Sequence, residues 1–512
     1  MKNAWQRLSE LGDVLRCHAD VLTRQDSWLR ACLARNRNTV YGRQHGFVQI
    51  RSTEEFRARV PLMRYEDLMP WFARISNGEA DVLFAGTPVA FERTGGSTGG
   101  NKLIPYSTAS LLDFRSAILP WLADITTAYG FSCGCAYWAI SPATRSAEQS
   151  RGGIPVGLPD GAYLGDAALP AFAELSAVPP WLASIRNVRD WQLATLYWLI
   201  RRDDLELISV WSPTFFLALL DKLEQLADVL STLLRQGGNI AGQVLAPDVT
   251  ALCRLHEYLS SNDARHLWPG LKLVSCWADG SSRPYFNALR NRLPTTDFQG
   301  KGLLATEGVV TVPNQQGLPL LAADSGFFEF LGRDGRLRFS HEVLKGQRYE
   351  VIMTTAGGLY RYRTGDCVAC EGFINTLPVL RFAGRNGLVS DLVGEKLTEE
   401  FVTDCLREIG GFRMLLPCVR DRAKYVLVVD ARSELKPDLM ITSVEAFLSR
   451  NPQYAYARQM GQLDKLSMLQ VSDPWETYLR HAVERGMRMG DVKAPSLSPE
   501  TDLLETFLEA AL

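Results

Sequence analysis

The chain alternates short apolar runs with longer segments in which apolar residues recur at helical spacing. The short runs predict buried strands, and they lie at residues 271–276, 326–331, 351–354 and 425–429. The helical spacing predicts helices over the leucine-rich segment 215–234 and over 285–293. Alternation of this kind is typical of an α/β architecture in which helices cover sheets.

The first sixteen residues predict an amphipathic helix that packs on the body of the protein. Trp5, Leu8, Leu11 and Leu15 recur at helical spacing. Charged residues between them interrupt the apolar core that an export signal requires. Because no uninterrupted apolar run approaches the ~18 residues that span a bilayer, we expect a cytoplasmic protein.

At 512 residues the chain is longer than one hydrophobic core usually organises, so two or more domains are expected. The strand at 425–429 follows a new set of charged turns, which favours a large domain over 1–383 and a smaller α/β domain over 384–512. The glycine- and proline-bearing segment 151–180 is interpreted as a long irregular insertion near a binding site.

Composition and charge narrow the function classes. The chain is 46% hydrophobic and 22% charged with a net charge of −2, an ordinary globular mix that indicates neither a nucleic-acid nor a membrane partner. The ten cysteines are scattered, and the pair Cys367 and Cys370 lacks the second pair or histidines of a zinc site. We therefore expect thiols that are buried or chemically idle.

The most informative segment is Thr-Gly-Gly-Ser-Thr-Gly-Gly at residues 94–100, followed by Lys102. Glycines let successive backbone N–H groups converge on phosphate oxygens, while the hydroxyls and the lysine add donors and positive charge. A flexible surface loop explains the same composition equally well. The segment does not fit the GxxxxGK[ST] nucleotide loop.

Two acidic clusters follow. Thr306-Glu307-Gly308 comes after an apolar run, where a strand would turn, and a carboxylate there suits the Mg²⁺ that accompanies ATP. Asp366, in Thr-Gly-Asp, could accept both hydroxyls of a ribose. Taken alone, each acid is more often a residue that stabilises its own turn.

Two further clusters lie towards the C-terminus. Residues 382–385 and 394–396 mix glycine and charge at the expected domain boundary, which suits a hinge near 384–396. Lys493 precedes Pro495 on a terminal segment, where a lysine is normally solvated. The order and spacing of all five clusters, rather than any one of them, favours the functional interpretation.

Those five clusters resemble the motifs of the adenylate-forming superfamily, which contains acyl-CoA synthetases, luciferases and peptide-synthetase adenylation domains. Residues 94–102 are similar to its phosphate loop [ST]-[SG]-G-[ST]-T-G-x-P-K, with Asn101 where proline is usual. Residues 305–307 resemble its Thr-Glu motif, 364–366 its ribose motif and 384–385 its Gly-Arg. Lys493 lies where its C-terminal catalytic lysine is expected.

A finer resemblance, to the Gretchen Hagen family of auxin-responsive acyl-acid amido synthetases, covers nearly the whole chain. It rests on residues 38–47, 55–61, 65–67, 102–106, 268–272, 359–366, 394–399 and 451–454. Most of these lie outside the nucleotide motifs. Against the usual plant form, the loop lacks one residue before Lys102 and reads Gly-Gly-Ser-Thr, so this member is divergent.

The resemblance implies the adenylate-forming fold, with a large multi-sheet N-terminal domain and a small mobile C-terminal one, and it implies the use of ATP and Mg²⁺. It assigns catalysis to Lys493, Lys102 and Glu307, with Glu307 also holding the metal. The implied nucleotide contacts are Thr94, Gly95, Gly96, Ser97, Thr98, Gly99, Gly280, Ser281, Ser282, Gly302, Leu303, Leu304, Ala305, Thr306, Asp366, Arg385 and Lys396.

The implied activity is adenylation of a carboxylic acid and transfer of the acyl group to an amine, such as an amino acid, forming an amide. Thioester formation on coenzyme A or a carrier protein is the enzymatic alternative. A non-catalytic adenylate binder is the other, although it would not need Glu307, Asp366 and Lys493 together. The expected partners are small-molecule acids and amines, with no nucleic acid and no membrane, and the chain is compatible with a monomer.

Overall fold

The computed structural model describes residues 3–17, 19–93, 102–139, 148–385, 388–393, 395–420, 423–433, 436–459 and 462–511. The expected mixed α/β architecture is confirmed. The α-helices are α1 (Ala4–Val14), α2 (Val21–Asn36), α3 (Val40–Gln44), α4 (Thr53–Arg59), α5 (Tyr65–Ser76), α6 (Thr108–Tyr129), α7 (Asp160–Leu164), α8 (Leu169–Leu175), α9 (Val188–Ile200), α10 (Pro213–Gln225), α11 (Ala227–Gln236), α12 (Val249–Ser261), α13 (Arg283–Arg292), α14 (Glu399–Cys405), α15 (Pro437–Leu448), α16 (Pro452–Gln459), α17 (Pro474–Glu484) and α18 (Asp502–Ala511).

The strands are β1 (Ala90–Arg93), β2 (Leu103–Tyr106), β3 (Cys135–Trp138), β4 (Glu148–Gln149), β5 (Pro155–Val156), β6 (Leu205–Ser209), β7 (Gly238–Ile240), β8 (Gln243–Leu245), β9 (Leu273–Cys276), β10 (Asp297–Gly300), β11 (Leu304–Ala305), β12 (Gly308–Val309), β13 (Thr311–Pro313), β14 (Pro319–Leu321), β15 (Phe327–Gly332), β16 (Leu337–Phe339), β17 (Arg348–Thr354), β18 (Tyr362–Ile374), β19 (Leu377–Arg385), β20 (Val389–Ser390), β21 (Leu397–Thr398), β22 (Arg413–Cys418), β23 (Lys424–Asp430) and β24 (Ser467–Val471).

Three of the sheets determine where the site lies. A four-stranded parallel sheet has the order β10-β9-β6-β3. A seven-stranded antiparallel sheet has the order β13-β14-β19-β18-β17-β15-β16. A smaller sheet, β22-β23-β24, lies in the C-terminal part. The two central strands of the parallel sheet, β6 and β9, are buried along their whole length, as parallel strands between helices usually are.

Helix α6 packs beside the parallel sheet and carries several residues of the site. The Ser107 hydroxyl accepts a hydrogen bond from the Ser110 backbone N–H at 3.1 Å and so caps the start of the helix. The helix ends at Gly130, whose φ of 59° is left-handed. These two signals define a 22-residue helix long enough to reach from the seven-stranded sheet to the N-terminal helix.

The buried apolar residues divide along the sequence. One cluster surrounds the seven-stranded sheet, and a second surrounds the parallel sheet and helices α9 to α12. From Leu397 to Phe507 the buried residues form clusters of their own around β22, β23 and β24. A separate C-terminal core is compatible with a smaller domain, whose boundary near residue 384 stays a prediction.

All four predicted strands are present, as β9, β15, β17 and β23. Residues 4–14 form the expected N-terminal helix, and Trp5 and Leu8 are fully buried, whereas Leu15 lies beyond its end and is exposed. The single helix predicted over 215–234 is two helices, α10 and α11, which meet at Leu226.

The interpretation of residues 151–180 as irregular is wrong. The segment contains β5, α7 and α8, and α8 buries Ala171 and Leu175 against a core that includes α1 and α6. Its glycines and prolines mark the ends of these short elements, and sequence reasoning took them as a sign that elements were absent.

The described residues contain neither a membrane-spanning helix nor a metal-binding cluster. In the described part of the chain, no helix combines the length and apolarity needed to cross a bilayer. The ten cysteine thiols are free, as expected, although Cys17, Cys133 and Cys253 are exposed. Among the described residues, no group of three or more histidine, cysteine or acidic side chains is arranged to hold a metal.

Candidate active site

A cavity of about 1010 Å³ lies at the carboxyl edge of the parallel sheet. Its lining includes Trp138 at the end of β3, Ser209 at the end of β6, Trp277 just after β9 and Lys301 just after β10. Open α/β sheets usually bind ligands in a crevice at this edge. The volume matches that of a pocket for a substantial small molecule.

Glu307 reaches the cavity from the turn of a hairpin, as the sequence predicted. Strands β11 and β12 pair through Leu304 with Val309 and Ala305 with Gly308, which leaves Thr306 and Glu307 at the turn. The Tyr106 hydroxyl donates to the Thr306 carbonyl at 2.6 Å and fixes this turn. Burial raises the pKa of the Glu307 carboxyl, against the opposing effect of Arg385.

Gly302 starts the segment that leads into this hairpin. Its φ is 79°, and a Cβ added there would lie 2.6 Å from the Thr311 carbonyl oxygen. The neighbouring Leu303 N–H donates to the Thr311 hydroxyl at 2.8 Å. Only glycine fits this close approach, so Gly302 sets the path of the backbone toward Glu307.

Asp366 lies within strand β18, and the expectation that a turn holds it is wrong. Gly365 has a φ of 77°, and the pairing register with β19 shifts just after Asp366. A left-handed glycine therefore makes a bulge inside the strand instead of ending it. The bulge leaves Asp366 buried at the cavity.

Arg385 is the direct cross-strand partner of Asp366. It ends β19, and its Nε lies 2.9 Å from Oδ1 of Asp366. A second guanidinium nitrogen donates to the Thr364 carbonyl at 3.3 Å. The Asp366 charge raises the pKa of Arg385 above its ordinary value, so the guanidinium stays ionised at the cavity wall.

Lys493 also lines the cavity, so the alternative of a simply solvated lysine does not apply. Its Nζ lies 4.7 Å from the centre of the Phe382 ring and 5.6 Å from that of Trp277. Burial lowers the pKa of the ammonium, while Glu399 acts in the opposite direction. A terminal segment looks solvated in sequence, but here it packs.

The segment after Lys493 explains how a terminal lysine is held there. Leu497 bridges Leu415 of β22, and the Leu415 N–H donates to the Ser496 carbonyl at 2.8 Å. The Ser498 N–H donates to the Leu415 carbonyl at 3.2 Å. Lys493 is therefore anchored on the C-terminal sheet while its ammonium reaches a cavity built largely by the N-terminal part.

Glu399 is a site residue that sequence reasoning missed. It is only 8% exposed, lines the cavity and begins α14. Burial raises the pKa of its carboxyl, and Lys493 is the strongest opposing charge. An acid in the first turn of a helix, directly after the N-cap Thr398, is already explained by its favourable interaction with the helix dipole. The sequence therefore gives no sign that Glu399 also lines the cavity.

Lys102 meets the cavity at the hairpin β1–β2. Lys102 precedes β2, and its Nζ lies 5.0 Å from the centre of the Tyr65 ring, whose hydroxyl accepts the Leu103 N–H at 2.9 Å. Residues 94–101, which include the expected phosphate contacts Thr94 to Gly99, lie outside the described residues. Both flanking residues, Arg93 and Lys102, line the cavity.

The structure brings most of the remaining expected residues together and leaves a few apart. Those on the cavity wall are Lys102, Gly280, Gly302, Leu303, Leu304, Ala305, Thr306, Glu307, Asp366, Arg385 and Lys493. Ser282 is buried but not part of that wall, and the Ser281 side chain lies outside the described set. Lys396 is exposed and does not line the cavity.

Family models match most of the chain. The model for the GH3 family N-terminal domain matches residues 10–298, and that for the GH3 family central domain matches 319–385. The chain belongs to the GH3 family. This confirms the resemblance drawn from the sequence motifs.

Two proteins of this family illustrate the likeness. Indole-3-acetic acid-amido synthetase GH3.15 from Arabidopsis thaliana is 24% identical over 438 residues, covering 77% of this chain and 72% of that protein. A solved structure of the AtGH3.15 acyl acid amido synthetase with 2,4-DB has a TM-score of 0.86 at 21% identity, covering 99% and 96% of the two chains. The fold is therefore that of a GH3 protein.

A more distant solved structure extends the likeness beyond the family. It is a 2-hydroxyisobutyryl-CoA ligase in the postadenylation state with 2-HIB-AMP, and it has a TM-score of 0.51 at 13% identity. The alignment covers 99% of this chain and 91% of the ligase. The expected adenylate-forming fold is confirmed at this level.

Proposed function

We propose that this chain uses ATP to convert a carboxylic acid into an acyl-adenylate and transfers the acyl group to an amine, forming an amide. AMP and pyrophosphate are the other products. The observation that carries the proposal is the position of Lys493, which the C-terminal part contributes to the cavity that holds Glu307 and Asp366. GH3 membership supports an amide product, because the relative and the solved structure described above are named amido synthetases.

In the first step, a carboxylate oxygen of the acid attacks the α-phosphorus of ATP, and the bond to the pyrophosphate oxygen breaks. Negative charge on the transferring group needs fixed cations in the transition state. We assign this role to Lys102 and Lys493, which both line the cavity. Burial lowers the pKa of Lys493, so its ammonium is poorly hydrated and attracts developing charge strongly.

We assign the nucleotide to the wall that holds Asp366, Arg385 and Gly280. An ionised carboxylate accepts hydrogen bonds from ribose hydroxyls, and the 2.9 Å ion pair with Arg385 supports that ionised form. The segment 302–306 and Gly280 border the same space and suit adenine and AMP. The glycine-rich segment 94–99 is proposed as the phosphate loop, supported by the two flanking residues on the wall.

Glu307 is the residue that would hold Mg²⁺. Burial raises the pKa of its carboxyl, and the nearby cations Arg385 and Lys102 offset only part of the cost of burying its ionised form. A bound divalent cation would offset the rest of that cost. Since the described residues form no larger ligand cluster, phosphate oxygens and water would complete the shell, as Mg²⁺ prefers. The bound ion would neutralise phosphate charge.

The C-terminal part, about 384–512, is proposed to be a mobile domain that turns about the segment 384–396. Its own buried clusters support an independent body, and Lys493 reaches out from that body into the cavity. Lys396 is exposed in this conformation, so the nucleotide contact expected of it requires the segment to move.

In the second step, the amine attacks the acyl carbon of the mixed anhydride, AMP leaves with the electron pair of the broken C–O bond, and the nitrogen loses a proton. Thioester formation remains the alternative, because a CoA ligase shares the fold. A non-catalytic binder is disfavoured, since Lys102, Glu307 and Lys493 would not be needed together on one cavity wall.

Pyrophosphate exchange tests the first half of the proposal. Purified enzyme with Mg²⁺-ATP and an acid that it accepts should incorporate labelled pyrophosphate into ATP, at a rate that depends on the acid. A panel should include aryl, indolyl and aliphatic acids. If no member gives exchange or AMP above the acid-free control, the chain does not form adenylates.

A further inference from the structure

Lys301 is a buried lysine on the cavity wall that the proposed chemistry does not use. It follows β10, and its backbone N–H extends the parallel sheet by donating to the Cys276 carbonyl at 3.1 Å. The residue is 7% exposed, and its Nζ lies 2.7 Å from the Ser209 hydroxyl oxygen at the end of β6. The parallel sheet therefore fixes this ammonium at the crevice where its strands end.

Two tryptophans flank the ammonium. Its Nζ lies 5.0 Å from the centre of the Trp121 ring on α6 and 5.3 Å from that of Trp211 after β6. The Trp121 ring is itself held by a hydrogen bond from its Nε1 to the Gln299 side-chain oxygen at 2.8 Å. Both rings attract the ammonium through their faces. Aromatic surfaces of this kind also pack well against a flat ligand group.

Apolar side chains line the cavity beside Lys301. Phe114, Ile118, Leu122, Trp138 and Phe172 are on the cavity wall and belong to one apolar cluster with Trp121, which contacts Lys301; this cluster is called the apolar lobe. Among the residues that the structure describes, no carboxylate lies within 4.0 Å of the Lys301 ammonium. Burial lowers its pKa to about 8, because the desolvated cation lacks an anionic partner to offset that cost.

Lys301 is separate from the charged cluster assigned to the nucleotide. Arg385, Asp366 and Lys102 all act on the pKa of Glu307. For Lys301 the causes are burial and the Cys276 thiol alone. Its hydrogen bond is with Ser209 at the end of β6, and its two ring contacts are with Trp121 on α6 and with Trp211 after β6.

We propose that the acid substrate has a flat, largely apolar body and a second oxygen group, remote from the reacting carboxyl, which the Lys301 ammonium binds. A hydroxyl or a second carboxylate on an aromatic acid meets this description. The inference rests on the proposed function, because it takes the apolar lobe as the site of the acyl group. Lys301 is then a residue that determines which acids are accepted.

Binding and exchange measurements on matched acids test the proposal. Benzoate, cinnamate and 2-naphthoate are compared with their ring-hydroxylated and ring-carboxylated derivatives. Affinity of the ATP-free enzyme is measured by calorimetry, and kcat/KM by pyrophosphate exchange. For at least one skeleton, a derivative should bind about tenfold or more tightly than its parent, the gain expected from one charge-assisted hydrogen bond.

The variant Lys301→Met removes the ammonium and keeps the volume of the side chain. The preference for the derivative should fall to within about twofold, while the parent acid binds as well as before or better, since the lobe becomes more apolar. Lys272→Met is the matched control. That ammonium pairs with Glu206 at 2.8 Å and lies off the cavity wall, so its loss should leave acid preference unchanged.

Two readouts separate this role from a structural one. Removing a buried cation without an anionic partner should leave the unfolding temperature of Lys301→Met unchanged or raise it. In the wild type, the kcat/KM ratio of carboxylated derivative to parent should fall as the pH rises through about 8, where Lys301 loses its charge. The Met variant should show no such pH step.

The outcomes distinguish this proposal from the proposed function. If the wild type binds no derivative more tightly than its parent, or if Lys301→Met weakens parent and derivative equally, Lys301 does not select the acid. Exchange with parent acids in that case would leave adenylation standing. Selective binding by the wild type without any exchange would support Lys301 and count against adenylation.

Discussion

At the scale of single residues, Lys493 shows how burial and charge oppose each other at this site. Burial lowers the pKa of its ammonium, and Glu399 and Asp366 offset part of that effect. The Phe382 and Trp277 rings keep water from the ammonium without neutralising it. A cation held in this way is ready to stabilise charge that develops only during the reaction.

We predict that Lys493→Ala lowers the rate of adenylation by about 10²-fold or more, a loss of ~3 kcal/mol, because one transition-state charge partner is removed. ATP affinity should be nearly unchanged, since the nucleotide keeps its other contacts. Lys465→Ala, at an exposed position of the same part of the chain, is the control. An unchanged adenylation rate in Lys493→Ala would remove this lysine from the mechanism.

Asp366 carries a second prediction at this scale. Asp366→Asn replaces a carboxylate acceptor with an amide that offers one acceptor oxygen. Loss of one charge-assisted hydrogen bond, worth roughly 1.5–3 kcal/mol, should weaken AMP binding about 10- to 100-fold in calorimetry. Asp334→Asn is the control, because Asp334 pairs with Arg338 at 2.7 Å on an exposed turn. Wild-type AMP affinity in Asp366→Asn would leave Asp366 with a structural role only.

At the scale of elements, the hairpin β11–β12 was predictable and the surroundings of Asp366 were not. An acid between an apolar run and a glycine indicates a turn, and Glu307 lies at one. The same logic failed at Gly365, because a left-handed glycine can also form a bulge inside a strand. Residues 215–234 look like one helix because both α10 and α11 keep an apolar face across Leu226.

Gly302 tests how the hairpin holds Glu307. Gly302→Ala should destabilise the fold by about 3 kcal/mol, combining the cost of a left-handed Ala with displacement of the Thr311 carbonyl. Gly335→Ala has a similar φ of 75° but nothing within 4 Å of the added Cβ, so it should cost only about 1 kcal/mol. Denaturant midpoints measure the loss of stability in each variant. The Mg²⁺ dependence of pyrophosphate exchange measures whether Glu307 still holds its position. Equal midpoints for the two variants would show that the Thr311 contact is not limiting.

At the scale of the whole molecule, the sequence predicted the family, the fold and eleven residues of the cavity wall, because those motifs are local. Glu399 and the ring of Phe382 could not be given roles in this way, since their partner Lys493 lies about a hundred residues away. Lys301 has no motif at all and becomes notable only when β6, β10 and α6 are brought together.

Both parts of the chain contribute residues to the cavity. The N-terminal part supplies Glu307, Asp366 and the apolar lobe, while the C-terminal part supplies Lys493 and Glu399. Lys102 and Lys493, the two cations assigned to the first step, come from different parts of the chain. We therefore propose that this joint cavity makes an adenylate and that an amine then takes up its acyl group.

The most direct test offers the adenylate a choice of acceptors. Enzyme, Mg²⁺-ATP and an acid that supports exchange are incubated with pooled amino acids in one tube and with coenzyme A in another, and products are identified by mass spectrometry. If an amine takes up the acyl group, as we propose, an amide should accumulate in proportion to AMP in the first tube, and no thioester should form in the second. A thioester in the second tube, with no amide above the uncatalysed background in the first, would contradict it.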